Sequence, residues 1–150
     1  MKSKLILAGT LALFSISIAS AHSGATGVVK QRMDAMSEIG ANMKIIGNMA
    51  RGTSTMDTEA LAASLAAISQ NTSGLSDLFP TGTEAAPSEA SPAIWENPED
   101  FGAQIDGLET AANTFLLSVQ SGKEFDLNAS FRSLSKTCKS CHGDYRIKRD

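Results

Sequence analysis

The sequence predicts an all-α protein, an antiparallel up-down-up-down four-helix bundle. Apolar or small residues recur at steps of three and four in four separate runs, the signature of amphipathic helices. No convincing strand alternation interrupts them. The first and third connections are short, which makes consecutive helices antiparallel neighbours.

The first run carries Val29, Met33, Met36, Gly40, Met43, Gly47 and Ala50 on its seam, and Arg51-Gly52-Thr53-Ser54 closes it. Asp57 is placed to accept the free N–H groups that open the second run, Leu61, Leu65, Ile68, Thr72, Leu75 and Phe79. Polar Thr72 is the weak point of that seam. All four prolines (Pro80, Pro87, Pro92, Pro98) fall between the second and third runs, so that connection is expected to be long and irregular. Pro98 suits the first turn of the third helix, with Asn97 as its cap and Glu99 and Asp100 set favourably against the helix dipole. The third seam is Phe101, Ile105, Leu108, Ala112, Phe115 and Val119, ended by Ser121-Gly122. Asp126 or Asn128 caps the fourth, which carries Leu127, Phe131, Leu134, Cys138, Cys141 and Tyr145; Arg146, Lys148 and Arg149 supply positive charge at its C-terminal end.

Residues 1–21 read as a secretory signal peptide: Lys2 and Lys4, an apolar run from Leu5 to Ile18, then Ala19-Ser20-Ala21 as an A-x-A cleavage site. An uncleaved anchor fits less well, because the run is short for a membrane span and the cleavage triplet follows it directly. The mature chain is expected to be residues 22–150, one domain without a membrane span, exported to a bacterial periplasm. The leader holds two of the 13 basic residues and none of the 16 acidic ones, leaving 11 against 16, a formal charge of −5. Residues 57–126 hold 12 acidic side chains and a single cation, Lys123, whereas the C-terminal end is basic. An acidic chain without a basic, aromatic-interleaved stripe excludes nucleic acid as the expected partner; local attraction to an acidic protein surface stays open.

The chemistry lies in Cys138-Lys139-Ser140-Cys141-His142. On a helix Cys138 neighbours both Cys141 and His142, so two thiols point one way and an imidazole lies beside them. Two thioethers there can hold one edge of a porphyrin while His142 reaches the iron. Structural zinc wants four ligands, and the other histidine is His22 at the expected mature terminus. A thioredoxin-like pair wants a strand-to-helix turn. The motif therefore predicts one covalent haem c per chain. Gly40 and Gly47 each cost about 1 kcal/mol in a helix interior relative to alanine; close approach of a large flat group and close helix packing are two reasons for them.

With these features the chain resembles the cytochrome c-prime family, exported four-helix bundles with C-x-x-C-H near the C-terminus and haem held between the first and last helices. The resemblance is carried by Arg32-Met33-Asp34-Ala35-Met36 followed by Gly40, Met43 and Gly47, by Pro92-Ala93-Ile94-Trp95, and by Cys138 to Arg146. Members with leucine at the position of Met36 are high-spin and bind small gases. A methionine there, followed by Gly40, Gly47 and Arg51-Gly52, is similar to the low-spin cytochrome c-556 branch. The resemblance implies Met36 as distal and His142 as proximal iron ligand, which suits electron transfer with a redox protein partner and no catalysis; high-spin binding of nitric oxide or carbon monoxide is the alternative. The alternative reading of Met36 is a core methionine, and Met33, Met43 and Met49 are competitors. Arg32 is either a haem propionate partner or an exposed helix charge, and Arg51 has the same two readings. Trp95 either packs on the haem or pins the loop, and Arg146 is a further candidate haem contact. Family members include dimers, so a homodimer is among the expectations.

Overall fold

The structure, a computed structural model, describes residues 24–84 and 87–147. The expected leader (residues 1–21), His22, Lys148 and Arg149 lie outside the described residues. Four long helices form an antiparallel bundle: α1 (Gly27–Ala50), α2 (Thr58–Thr72), α4 (Pro98–Gln120) and α5 (Leu127–Tyr145). The one-turn helix α3 (Ala93–Glu96) and a 3-10 turn (Leu75–Leu78) lie in the long connection, which is more ordered than its prolines suggest.

Helix ends follow local chemistry. Arg51 is the C-cap of α1, and Gly52 takes the left-handed conformation (φ 70°) that stops the helix. Asp57 accepts from the Ala60 N–H at 3.0 Å and Asp126 from the Ala129 N–H at 2.9 Å, so both caps form. Asn97 is the N-cap position of α4, but its amide instead donates back to the Ala93 carbonyl. The cap expected of Asn97 is therefore not made by its side chain, although Pro98 does take the first turn as expected. The α5 helix stops at Tyr145, and Arg146 is its C-cap in extended conformation, outside the last turn.

The core runs along α2 and α4. All six residues of the expected α4 seam, from Phe101 to Val119, are buried. In α2, Leu61, Leu65 and Ile68 are fully buried, and burying each such side chain contributes about 1.5–3 kcal/mol. Thr72 is fully buried without loss, because its hydroxyl donates to the Ile68 carbonyl at 2.7 Å. The Gly74 residue then turns the chain (φ 69°), and Leu75 and half-buried Phe79 continue the apolar stripe beyond the helix.

The seam of α1 differs from the expected one. Its buried residues are Arg32, Ile39, Ile46, Gly47, Met49 and Ala50, while Met33, Met36 and Met43 are half-buried and Gly40 is exposed. Two apolar stripes run side by side on this helix. The isoleucine stripe is buried in the core; on the methionine–glycine stripe Met36 and Met43 pack against the core's edge and Gly47 meets Phe131 of α5. Contact between α1 and α5 is the loosest of the four adjacent helix pairs. On α5 only Leu134 and Tyr145 of the expected seam are buried; Leu127, Phe131, Cys138 and Cys141 are half-buried.

Candidate functional site

Helix α5 is fixed at its middle and at its C-terminal end. Leu134 anchors its middle in the core. Near its C-terminus Tyr145 stacks edge-on against Phe101 of α4 (5.2 Å between centroids) and donates its hydroxyl to Asp100. The amide of Gln104 bridges Asp100 and Asp144, each at 3.2 Å, tying the Asp144 flank of α5 to α4. Beyond the helix, Ser91 N–H donates to the Tyr145 carbonyl and Ile147 N–H to the Glu89 carbonyl, around an antiparallel bridge between Ala90 and Arg146.

Between these anchors Cys138 and Cys141 face one way as free thiols, half-buried against the core. Burial raises the Cys138 thiol above its ordinary value. The Cys141 thiol is pushed up to about 11 by burial, by Cys138 and by Asp144 and Asp100. Both are therefore protonated thiols at neutral pH. The ring of His142, an exposed residue overall, is held below the usual histidine value by partial desolvation and by Arg146, with Glu89 opposing. Its neutral form, the one that can ligate a metal, is favoured. Among the described residues no three His, Cys, Asp or Glu side chains converge on a metal-sized point, so zinc finds no donor set there.

The facing wall is the methionine–glycine stripe of α1. A Cβ on Gly47 would lie 2.9 Å from the Phe131 ring and 2.9 Å from the Arg51 guanidinium, so α1 and α5 meet closely there. A Cβ on Gly40 would meet nothing within 4 Å. Of the two reasons weighed for these glycines, close helix packing holds at Gly47, whereas Gly40 is exposed and makes no such contact. The Gly47–Phe131 contact also sets the register. Met36 stands eleven residues before Gly47 and His142 eleven residues after Phe131, and the two helices are antiparallel. At a rise of 1.5 Å per residue each therefore lies about 16 Å along its own helix from that contact, which sets them within about a turn of one height. By the same count Gly40 is level with Cys138, whereas Met33 falls nearly one turn away from His142 and Met43 two. Two thiols, an imidazole, a thioether level with it and a small-residue face beside them form a donor set that fits a covalently attached haem.

The other candidates are placed as follows. Arg32 is 2% exposed, which removes its reading as a surface charge. Its guanidinium donates to the Thr83 carbonyl (2.7 Å), the Thr83 hydroxyl (3.0 Å) and the Leu78 carbonyl (3.4 Å), and lies over the rings of Phe79 (4.7 Å) and Trp95 (5.8 Å). Its Nε is buried without a partner among the described residues. Desolvation lowers its pKa, partly opposed by Glu84. Trp95 donates its indole N–H to the Phe79 carbonyl at 2.9 Å and so ties the two ends of the long connection together. Arg146 pairs through two nitrogens with one Glu89 oxygen, at 2.6 and 2.8 Å. Arg51 is exposed and bonds Asn48. The roles of Asp100, Gln104, Thr83 and Glu89 escape a sequence reading, because each partner lies 40 or more residues away.

A four-helix bundle whose last helix carries C-x-x-C-H, with both cysteines half-buried against the core, defines a bundle-type c-type cytochrome. The chain belongs to the cytochrome c' family, whose model matches residues 27–146. It is 34% identical over 123 residues to a cytochrome c-556 of Agrobacterium tumefaciens (82% of this chain, 99% of the relative). It is 38% identical over 108 residues to a cytochrome c-554 of Cereibacter sphaeroides (69% of each chain). Among solved structures it is similar to cytochrome c' from Rhodopseudomonas palustris, with a TM-score of 0.74 and 30% identity over 84% of this chain and all of that one. Proteins of this family bind covalently attached haem c, and haem c is the cofactor of this chain. Among the described residues no helix is long and apolar enough to cross a membrane.

Proposed function

We propose that this chain is a periplasmic single-haem electron carrier in which Cys138 and Cys141 hold the haem, His142 is the proximal iron ligand and Met36 the distal one. Each cysteine contributes an S–H that adds across a vinyl double bond, sulfur to one carbon and hydrogen to the other. When bound, the haem supplies a one-electron ferric/ferrous couple. The chain's part is to keep both axial donors in place: Tyr145, Asp100 and Gln104 hold the His142 end of α5 against α4, and Arg32 holds the start of α1 against the loop. A neutral imidazole and a neutral thioether need no proton transfer when the iron changes charge, and His/Met ligation raises the potential. No residue is assigned to turnover of a substrate.

The observation that supports this reading is the Gly47–Phe131 contact, since a residue count from it puts Met36 nearer the level of His142 than Met33 or Met43. The likeness to cytochromes c-556 and c-554 supports it. The likeness to a cytochrome c' favours the second reading, a high-spin haem that binds nitric oxide or carbon monoxide. Substitution separates them. Met36→Leu should convert a low-spin spectrum to a high-spin one, and Met33→Leu should leave it unchanged; a Met36→Leu spectrum identical to wild type would overturn the ligand assignment.

A further inference from the structure

Charge on this bundle is segregated by layer. Residues 52–122, which build α2, the long connection and α4, contain ten Asp or Glu and no Lys or Arg. Exposed cations gather on α1 and α5. On α1, Lys44 lies four residues after Gly40 and three before Gly47, on the flank that turns to α5. On α5, Arg132, Lys136 and Lys139 form one exposed stripe, with Lys139 one turn before His142. The contacts of α5 orient that stripe. Its Asp144 flank faces α4 through Gln104, and its Phe131 flank faces Gly47 of α1. On the helical wheel Lys139 lies about 60° outside His142 on the α1 side, and Arg132 and Lys136 continue the stripe round to the solvent-facing side of α5. The count that levels Met36 with His142 sets Lys136 within about a turn of Lys44 across the groove. Among the described residues no salt bridge engages Lys44, Arg132, Lys136 or Lys139, whereas Lys30 is paired with Asp34 and Arg146 with Glu89.

From this arrangement we infer that the outer rim of the α1–α5 face, Lys44 with Arg132, Lys136 and Lys139, is the docking surface for an acidic electron-transfer protein. The inference deepens the carrier reading above and rests on it. The residues proposed to hold the iron would come from these two helices, so a partner seated on the rim would dock beside the elements that carry the cofactor. The acidic layer of α2 and α4 lies on the opposite side and repels the same partner there. A field of this polarity both raises the encounter rate and orients the pair.

The sign of the salt dependence tests this, because the whole chain is negative (formal charge −3) while the rim is positive. Ferricyanide, a trianion, accepts one electron from the ferrous holoprotein and becomes ferrocyanide. Its rate, followed by stopped flow, should fall as salt rises from about 0.02 to 0.5 M, although overall charge alone would make it rise. Reduction of the ferric protein by an acidic flavodoxin hydroquinone should show the same sign. Lys44→Glu with Lys136→Glu should slow both reactions on the order of tenfold at low salt and lose that difference at high salt. Lys44→Gln with Lys136→Gln, a milder pair, should fall between. A wild-type rate that rises with salt, or one indifferent to both pairs, would overturn the inference. So would binding to phosphatidylserine vesicles that the charge reversal abolishes, which would make the rim a membrane contact. Loss of Met36 ligation shows in the absorption spectrum and leaves the salt slope readable, so the two readings fail separately.

Discussion

The Cα of Gly47 faces the Phe131 ring so closely that a Cβ there would lie 2.9 Å from it. This contact closes one end of the α1–α5 interface and sets the relative height of everything beyond it.

Enlarging Gly47 should therefore disturb the bundle in proportion to size. In Gly47→Ala the methyl meets only the ends of the flexible Phe131 and Arg51 side chains, and the helix gains about 1 kcal/mol from the loss of glycine. Its unfolding free energy should stay within about 1 kcal/mol of wild type. Gly47→Leu must force the helices apart and should lose about 1–3 kcal/mol, as overpacking does. Urea unfolding of both variants checks this; a fully stable Gly47→Leu would show that the two helices do not meet there.

Buried Arg32 anchors the loop. Replacing it with methionine removes the bonds to Thr83 and Leu78 and the cation stacked on Phe79 and Trp95, and it also removes a desolvated charge. Loss of the anchor should dominate, with about 1–3 kcal/mol of destabilisation. Proteolysis should then cut first near residues 78–84. Equal cleavage in wild type and variant would show that the loop is held by other contacts.

How far the sequence discloses this architecture depends on whether a helix has one apolar face or two. On α4 there is one, and periodicity finds all six buried positions. On α1 the same reading finds Gly47 and Ala50 but misses the buried Ile39, Ile46 and Met49, because methionines and glycines recur at helical spacing beside them and spacing does not rank two adjacent stripes. The methionine–glycine stripe is the one that meets α5 at Gly47, so the misreading falls on the candidate site. The C-x-x-C-H motif is legible because its three residues are adjacent on one helix. Arg32 is not, because a buried guanidinium is recognisable only through Thr83 and Leu78, distant in the chain.

The pair of Tyr145 and Asp100 sets two pH limits. Tyr145 is raised to about 12, chiefly by donating to Asp100. A raised folded value means its contribution is complete below the ordinary tyrosine value near 10 and lost as pH climbs from there to about 12. Asp100 is lowered below 3.8, chiefly by the Tyr145 hydroxyl and then by Gln104. Its contribution is complete above the ordinary carboxylate value and lost as pH falls through the lowered one. Unfolding free energy measured across pH should thus decline at both extremes, and Tyr145→Phe should flatten the alkaline limb. An unchanged alkaline limb in that variant would assign the loss to another group.

The central claim, that Met36 closes the sixth coordination position opposite His142, is tested most directly by the absorption spectrum of the ferrous wild-type protein before and after carbon monoxide. A six-coordinate, low-spin spectrum that carbon monoxide leaves largely unaltered within seconds is the predicted result, since the thioether must leave before gas can bind. A five-coordinate, high-spin spectrum converted at once by carbon monoxide would contradict the claim and make the chain a gas-binding haem protein.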